Sequence, residues 1–283
     1  MTRVKLLPTV GGVRYIELAH VQSRNALDDV MAAELLAAIR EANADSSCGI
    51  VVFRSTLRNC FSTGPSLEGL IQCVGTPEGS ERLDAVIQRL NEVILEIHGS
   101  PKVTAAAIHG YAFGGGLNLF LACDYRIAVE STVCIENFLY MGVTPDLGAS
   151  YFLPRLIGST RTLELLLSGR TFTAREAAGW GMFTEVVDRR AALAPRIEAL
   201  GEKLARADLT RIPALKQLLR ASESAPLASH LAEERHALVR CCAESTVRER
   251  LEALLPPHPK DSAHDGPHPT PQAAAAGASL SVR

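Results

Sequence analysis

The chain has 283 residues, of which 47% are apolar, 21% charged and only 5% aromatic. These fractions exclude whole-chain disorder, collagen-like repeats and coiled coil, and a chain of this length folds without help from disulfides or metals. Lys and Arg number 29 against 31 Asp and Glu, a net charge of −2, so no overall field favours nucleic acid or an anionic membrane surface. The opening MTRVKLLPTVGG lacks the apolar core of a signal peptide, and no apolar run approaches the ~18 to 20 residues that span a bilayer. The seven cysteines show neither C-x-x-C nor Cys/His ligand spacing, so neither zinc nor a redox dithiol is indicated. The expectation is a reduced, cytoplasmic protein.

In chain order, KLLPTVGGVRYIELA reads as two short strands around a Pro/Gly turn. Leu27 to Ala42 carries apolar residues at helical spacing, with Asn25 or a neighbour as its cap. GIVVF (Gly49 to Phe53) is a short apolar run expected to be a buried strand, Arg82 to Ile97 is helical, and KVTAAAI (Lys102 to Ile108) is a second buried strand. DYRIAVE and TVCIENF follow as strands, and helices dominate from Ser150 to Leu255. The alternation predicts an α/β fold with a mostly parallel sheet covered by helices. Residues 1–190 form the expected core and 191–255 a helical region. The remainder, 256–283, is rich in Pro, His, Ala and Ser and is expected to be a disordered tail. Its His258, His264 and His268 are too irregularly spaced to predict a metal site.

Three segments carry the candidate chemistry. In IHGYAFGGGLNLFLACD (Ile108 to Asp124) an apolar strand runs through three glycines into a helix. Close backbone approach and free first-turn amides suit an anion there, a phosphate or an enolate oxygen; equally, the glycines relieve a tight junction. The run matches neither the dinucleotide nor the phosphate-loop glycine pattern. FSTGPSL (Phe61 to Leu67) sets small residues past a strand, where α/β proteins bind ligands, though alone it is an ordinary turn. Asp146, between Pro145 and a following helix, reads either as an N-cap or as a functional carboxylate.

Together R-N-A-L at 24 to 27, F-S-T-G at 61 to 64, H-G-Y-A-F-G-G-G at 109 to 116 and G-V-T-P-D-L-G at 142 to 148 resemble the crotonase superfamily of enoyl-CoA hydratases and isomerases. Ser168 to Asp188 is similar to the family's next helix-turn-strand stretch. The resemblance runs from about Val4 to Leu255. It implies a spiral β/α core with a C-terminal helical region and a homotrimer or hexamer. It also implies an acyl-CoA or acyl-carrier-protein thioester as ligand, with no metal or redox cofactor beyond the CoA or phosphopantetheine of the substrate. Two backbone N–H groups would hold the thioester's enolate. One would come from Gly115; the other falls on Pro65, which has no N–H. Three consequences stay open: Ser66 donates instead through its N–H or hydroxyl, the oxyanion hole is half built, or activity has lapsed. The resemblance places the pantetheine- and phosphate-bearing part of the ligand along Arg24, Ala26, Ser62, Gly64 and Pro65, with the Arg24 guanidinium on a phosphate.

The two glutamates of the family's hydratases fall on Asn118 and Phe138, neither an acid nor a base, so hydration is not expected. Glu136, two residues before Phe138, is expected in a core-edge salt bridge. Asp146 takes the position of the carboxylate in the family's isomerases, especially the ring-opening isomerase of phenylacetate breakdown. Phe113 and Phe138 would keep water from it. F-S-T-G-x-x-x-E-G-L and N-F-L-Y-M-G-V-T-P-x-L-G-A also resemble the decarboxylating crotonases of polyketide β-branching, but the lysine those use after E-G-L is missing. Aspartate at the same place serves as nucleophile in aromatic thioester dehalogenases, whose aromatic pocket this chain does not clearly show. The readings are an enoyl-thioester isomerase with catalytic Asp146, Gly115 and Ser66, a β-branching decarboxylase, or a non-catalytic binding subunit.

Overall fold

The computed structural model describes residues 2–254; the expected tail, with its three histidines, lies outside them. The chain divides into one unit through Glu223 and a second from Ser224.

In the first unit β1 (Val4–Leu6) and β2 (Val13–Leu18) pair antiparallel around the Pro/Gly turn. The first helix, α1 (Asp29–Ala44), begins two residues later than its apolar spacing implied, because Asp28 caps it by accepting from the Met31 N–H at 3.0 Å. Asn25 does not cap. It sits in the left-handed region at φ 57°, which its short polar side chain tolerates, and is fully buried. Its Nδ2 donates to Ser55 Oγ at 2.9 Å and to the Phe61 carbonyl at 2.8 Å, tying R-N-A-L to F-S-T-G.

The remaining elements form a repeated excursion. Strand β3 (Ile50–Ser55) leads to a three-residue β4 (Cys60–Ser62), then to helices α2 (Leu67–Cys73) and α3 (Pro77–His98). Strand β5 (Val103–Ile108) leads to β6 (Tyr111–Phe113) and α4 (Gly115–Leu121). Strand β7 (Tyr125–Val129) leads to β8 (Val133–Ile135), then α5 (Ala149–Ile157) and α6 (Ser159–Ser168). Strand β9 (Thr171–Thr173), α7 (Ala174–Ala178) and β10 (Glu185–Val187) close the sheets, and α8 (Leu193–Leu204) and α9 (Ile212–Ser222) follow.

The strands sort into two sheets, β1-β2-β3-β5-β7-β10 and β4-β6-β8-β9, the second built of three-residue strands. Apart from the antiparallel pairs β1/β2 and β8/β9, every pairing is parallel, as the alternation of strands and helices predicted. Every residue of β5 is buried, because helices cover both faces of its sheet. Ala106 and Ile108 face the core that holds α1, α3 and α4, while Val103, Ala105 and Ala107 face Leu193, Ile197 and Leu200 of α8. The second unit holds α10 (Leu227–Cys242) and α11 (Ser245–Glu252). Among the described residues no helix is long and apolar enough to cross a membrane.

Candidate active site

Because β4 and β6 pair side by side, the loops that leave them emerge together. Thr63–Ser66 thus lies against Gly114–Gly116 at the start of α4. The contact is backbone on backbone. A Cβ on Gly116 would stand 2.6 Å from the Ser62 carbonyl oxygen and 2.7 Å from Gly64 N. One on Gly64, at φ 71°, would meet the Phe113 oxygen at 2.9 Å and Gly115 N at 3.3 Å. The triplet therefore serves both readings: it relieves a tight junction, and it brings the Gly115 amide, which has no intrahelical acceptor, to the surface of a cleft.

That cleft encloses about 770 Å³, and Arg24, Pro65, Ser66, Phe113, Gly115 and Phe138 are in its wall. Pro65 Cδ would lie 3.4 Å from a Gly115 Cβ, so the residue without an N–H stands beside the one whose N–H is free. Ser66 caps α2: its Oγ accepts from Gly69 N at 3.0 Å, which leaves the hydroxyl hydrogen for another acceptor. Arg24 is exposed and, like Asn25, left-handed, at φ 54°. Ala26 and Ser62 are buried behind the wall. Ser62 Oγ donates to the Asn25 carbonyl at 2.8 Å and accepts from Gly64 N at 3.2 Å, so both hold the loops rather than line the cleft.

Asp146 is not the N-cap of α5. Gly148 takes that place in the left-handed conformation with no side-chain hydrogen bond, and it is Asp146's carbonyl that accepts from Ala149 N, at 3.0 Å. Its carboxylate Oδ1 is buried without a hydrogen-bond partner. Burial pushes the carboxyl up to about 6, partly offset by a hydrogen bond from its own backbone N–H. The neighbouring Leu147, strained at φ 49° and buried, sets its Cδ1 2.8 Å from where a Gly115 Cβ would stand, which holds the Asp146 loop onto the glycine triplet.

Glu136 corrects the sequence expectation. It forms no salt bridge among the described residues, and it is fully buried just past the end of β8, with Asn118 Nδ2 donating to its Oε2 at 3.2 Å. Burial drives its carboxyl up to about 8; the Asn118 bond lowers it and the charge of Asp146 raises it further. Sequence spacing missed this because it treated Glu136 to Phe138 as strand, whereas the strand stops at Ile135 and Phe138 opens a single turn of 3-10 helix. Among the described residues no cluster of three or more His, Cys, Asp or Glu side chains is arranged to hold a metal ion.

Residues 9–256 match the family model described as enoyl-CoA hydratase/isomerase. The chain is 34% identical over 176 residues to the mouse mitochondrial enoyl-CoA hydratase domain-containing protein 2, covering 62% of this chain and 58% of that one, less than two thirds of the relative's length. Among solved structures, enoyl-CoA hydratase from Bacillus halodurans superposes with TM-score 0.74 at 39% identity, covering 89% of this chain and all (100%) of that one. A Thermobifida fusca structure in complex with acetoacetyl-CoA superposes with TM-score 0.75 at 30% identity, covering 86% and 95% of the two chains.

Proposed function

The chain belongs to the enoyl-CoA hydratase/isomerase family, and we propose that within it the protein is an enoyl-thioester isomerase with Asp146 as its single base. The observation that carries this reading is the Asp146 carboxylate: partly buried, its Oδ1 shut off without a partner, tied to the glycine triplet through Leu147, and excused from capping α5. A carboxyl titrating at about 6 is largely ionised at neutral pH and still basic enough to take a carbon-bound proton from a thioester. In this reading the thioester oxygen lies on Gly115 N–H and the Ser66 hydroxyl. Asp146 removes a proton from the α-carbon and the electron pair moves onto the thioester oxygen as an enolate. The same carboxylic acid then returns its proton to the γ-carbon, shifting the double bond into conjugation. Phe113 and Phe138 line the cleft, and in this reading they favour proton return over addition of water. Hydration has no support from Asn118 and Phe138, neither of which can act as a general acid or base.

The test is incubation with β,γ- and α,β-enoyl-CoA substrates, and the same acyl groups on a carrier protein, in deuterated water. Double-bond migration with label at the α- and γ-carbons, and no 3-hydroxy product, is the expected result. A 3-hydroxyacyl product formed faster than migration would refute it. The binding-subunit reading draws on Pro65, whose ring occupies the place beside Gly115 where a second N–H is wanted. It requires thioester binding without label exchange.

Arg24 stands exposed at the cleft, and in this reading its guanidinium meets a phosphate of the ligand. Arg24→Ala is expected to weaken binding of CoA thioesters by about tenfold at low ionic strength, the scale of one charge-assisted hydrogen-bonded pair. The difference should narrow as salt screens the pair. Equal affinity of both proteins in low-salt calorimetry would remove Arg24 from the site.

A further inference from the structure

Behind the glycine triplet lies a small polar cluster that the isomerase reading leaves unused. Asn118 from α4, Glu136 from the end of β8 and Asp146 from the loop before α5 each have one oxygen, Oδ1, Oε1 and Oδ1 respectively, that is buried and accepts no hydrogen bond. With both carboxyls ionised, the hydrogens offered to them are those of the Asn118 amide, one of which already goes to Glu136 Oε2, and Asp146's own backbone N–H. Two carboxylates would then share a buried site with no cation, since neither makes a salt bridge among the described residues, and such an arrangement is costly. One proton on one carboxyl removes a charge and supplies a donor. Glu136 is the group to carry it, because it is fully buried whereas Asp146 is only partly so.

We propose that Glu136 is a positioning residue that holds a proton at neutral pH, so that Asp146 is the only charge behind the cleft. The order of titration agrees: Asp146, at about 6, ionises first, and its charge then helps hold the proton on Glu136, at about 8. The other titratable group beside Glu136 among the described residues is Cys134 of β8, a thiol that burial keeps neutral. Asn118 is uncharged. The proton has a use in the reaction. A second negative charge in the cluster would oppose an enolate forming on Gly115 N–H, so loss of the Glu136 proton switches off the site that Asp146 serves. This consequence rests on the isomerase reading; the proton itself does not.

Two measurements separate the inference from that reading. A carboxyl whose pKa is raised by folding keeps its proton after the unfolded chain has lost it, so stability falls as pH rises from the unfolded value toward the folded one. Between about pH 6.5 and 8, above the Asp146 titration, the wild type should lose denaturant-unfolding midpoint relative to Glu136→Gln, which imitates the neutral acid. In glutamate-labelled wild type, infrared spectra should show a protonated-carboxyl stretch that disappears near pH 8, a check that does not need the variant to fold. In turnover, wild type should fall about tenfold per pH unit above that point. Glu136→Gln should keep neutral activity and lose the fall. Parallel stability profiles, or no protonated glutamate at neutral pH, would overturn the inference whatever the activity. Glutamate titration as expected with no isomerase turnover would uphold the proton and sink the isomerase reading.

Discussion

Replacing Asp146 by asparagine is expected to lower isomerase turnover by about 10²- to 10⁴-fold, the usual contribution of one positioned acid or base. Asparagine keeps the size of the side chain and can neither take nor return a proton. Thioester affinity should stay within about threefold, because Arg24, Ser66 and Gly115 are untouched. Folding should not suffer either. The carboxylate caps no helix and its Oδ1 has no partner to lose, so the variant gives up a buried charge rather than a structural bond. The pH profile supplies an independent check. A base titrating at about 6 gives activity that rises with pH through that value and reaches a plateau near neutrality. That acid limb should be missing from whatever residual rate Asp146→Asn retains. Wild-type exchange of the α-proton in Asp146→Asn would remove the carboxylate from the reaction.

Ser66→Ala should cost about 10²-fold in turnover, the scale of one lost oxyanion donor. The variant also loses the α2 cap, worth about 1 kcal/mol, so on its own it confounds two effects. Pro65 separates them. Pro65→Ala restores a backbone N–H beside Gly115, at the place where the ring now stands. In the double variant Pro65→Ala, Ser66→Ala the cap is still missing, but a donor has returned. Most of the lost turnover should return with it, measured as kcat on an enoyl thioester at saturating substrate. A double variant no faster than Ser66→Ala would mean that position 65–66 contributes no donor.

Much of the core was legible in the sequence because burial leaves a periodic mark. KVTAAAI and GIVVF are runs that only a strand covered on both faces would need, and the residue pattern from Met31 to Ala42 is a helix face. The four motifs named the family, and the three glycines already pointed to close backbone contact. The three-residue strands β4, β6 and β9 were less legible, since a segment that short has too few residues to show alternation. Asn25 looked like a cap because asparagine commonly caps. Whether it does so depends on partners such as Ser55 and Phe61, which are distant in sequence.

Local composition and motif spacing determined the α/β architecture, the glycine-bordered loops, the proline where a donor is expected and the aspartate between Pro145 and Leu147. These are properties of short segments, and short-range sterics and periodicity suffice to read them. The tertiary structure alone decided what Asp146 and Glu136 are. An aspartate before a helix reads the same whether it caps the helix or stands free, and only the left-handed Gly148 at the cap position excuses it. A glutamate at a strand end reads as half of a core-edge salt bridge until the packing of α4 and the loop before α5 removes water from it and offers an asparagine instead of a cation. The protonation of a carboxyl follows from its distance to solvent and to other charges, and that distance is set by chain segments remote in sequence.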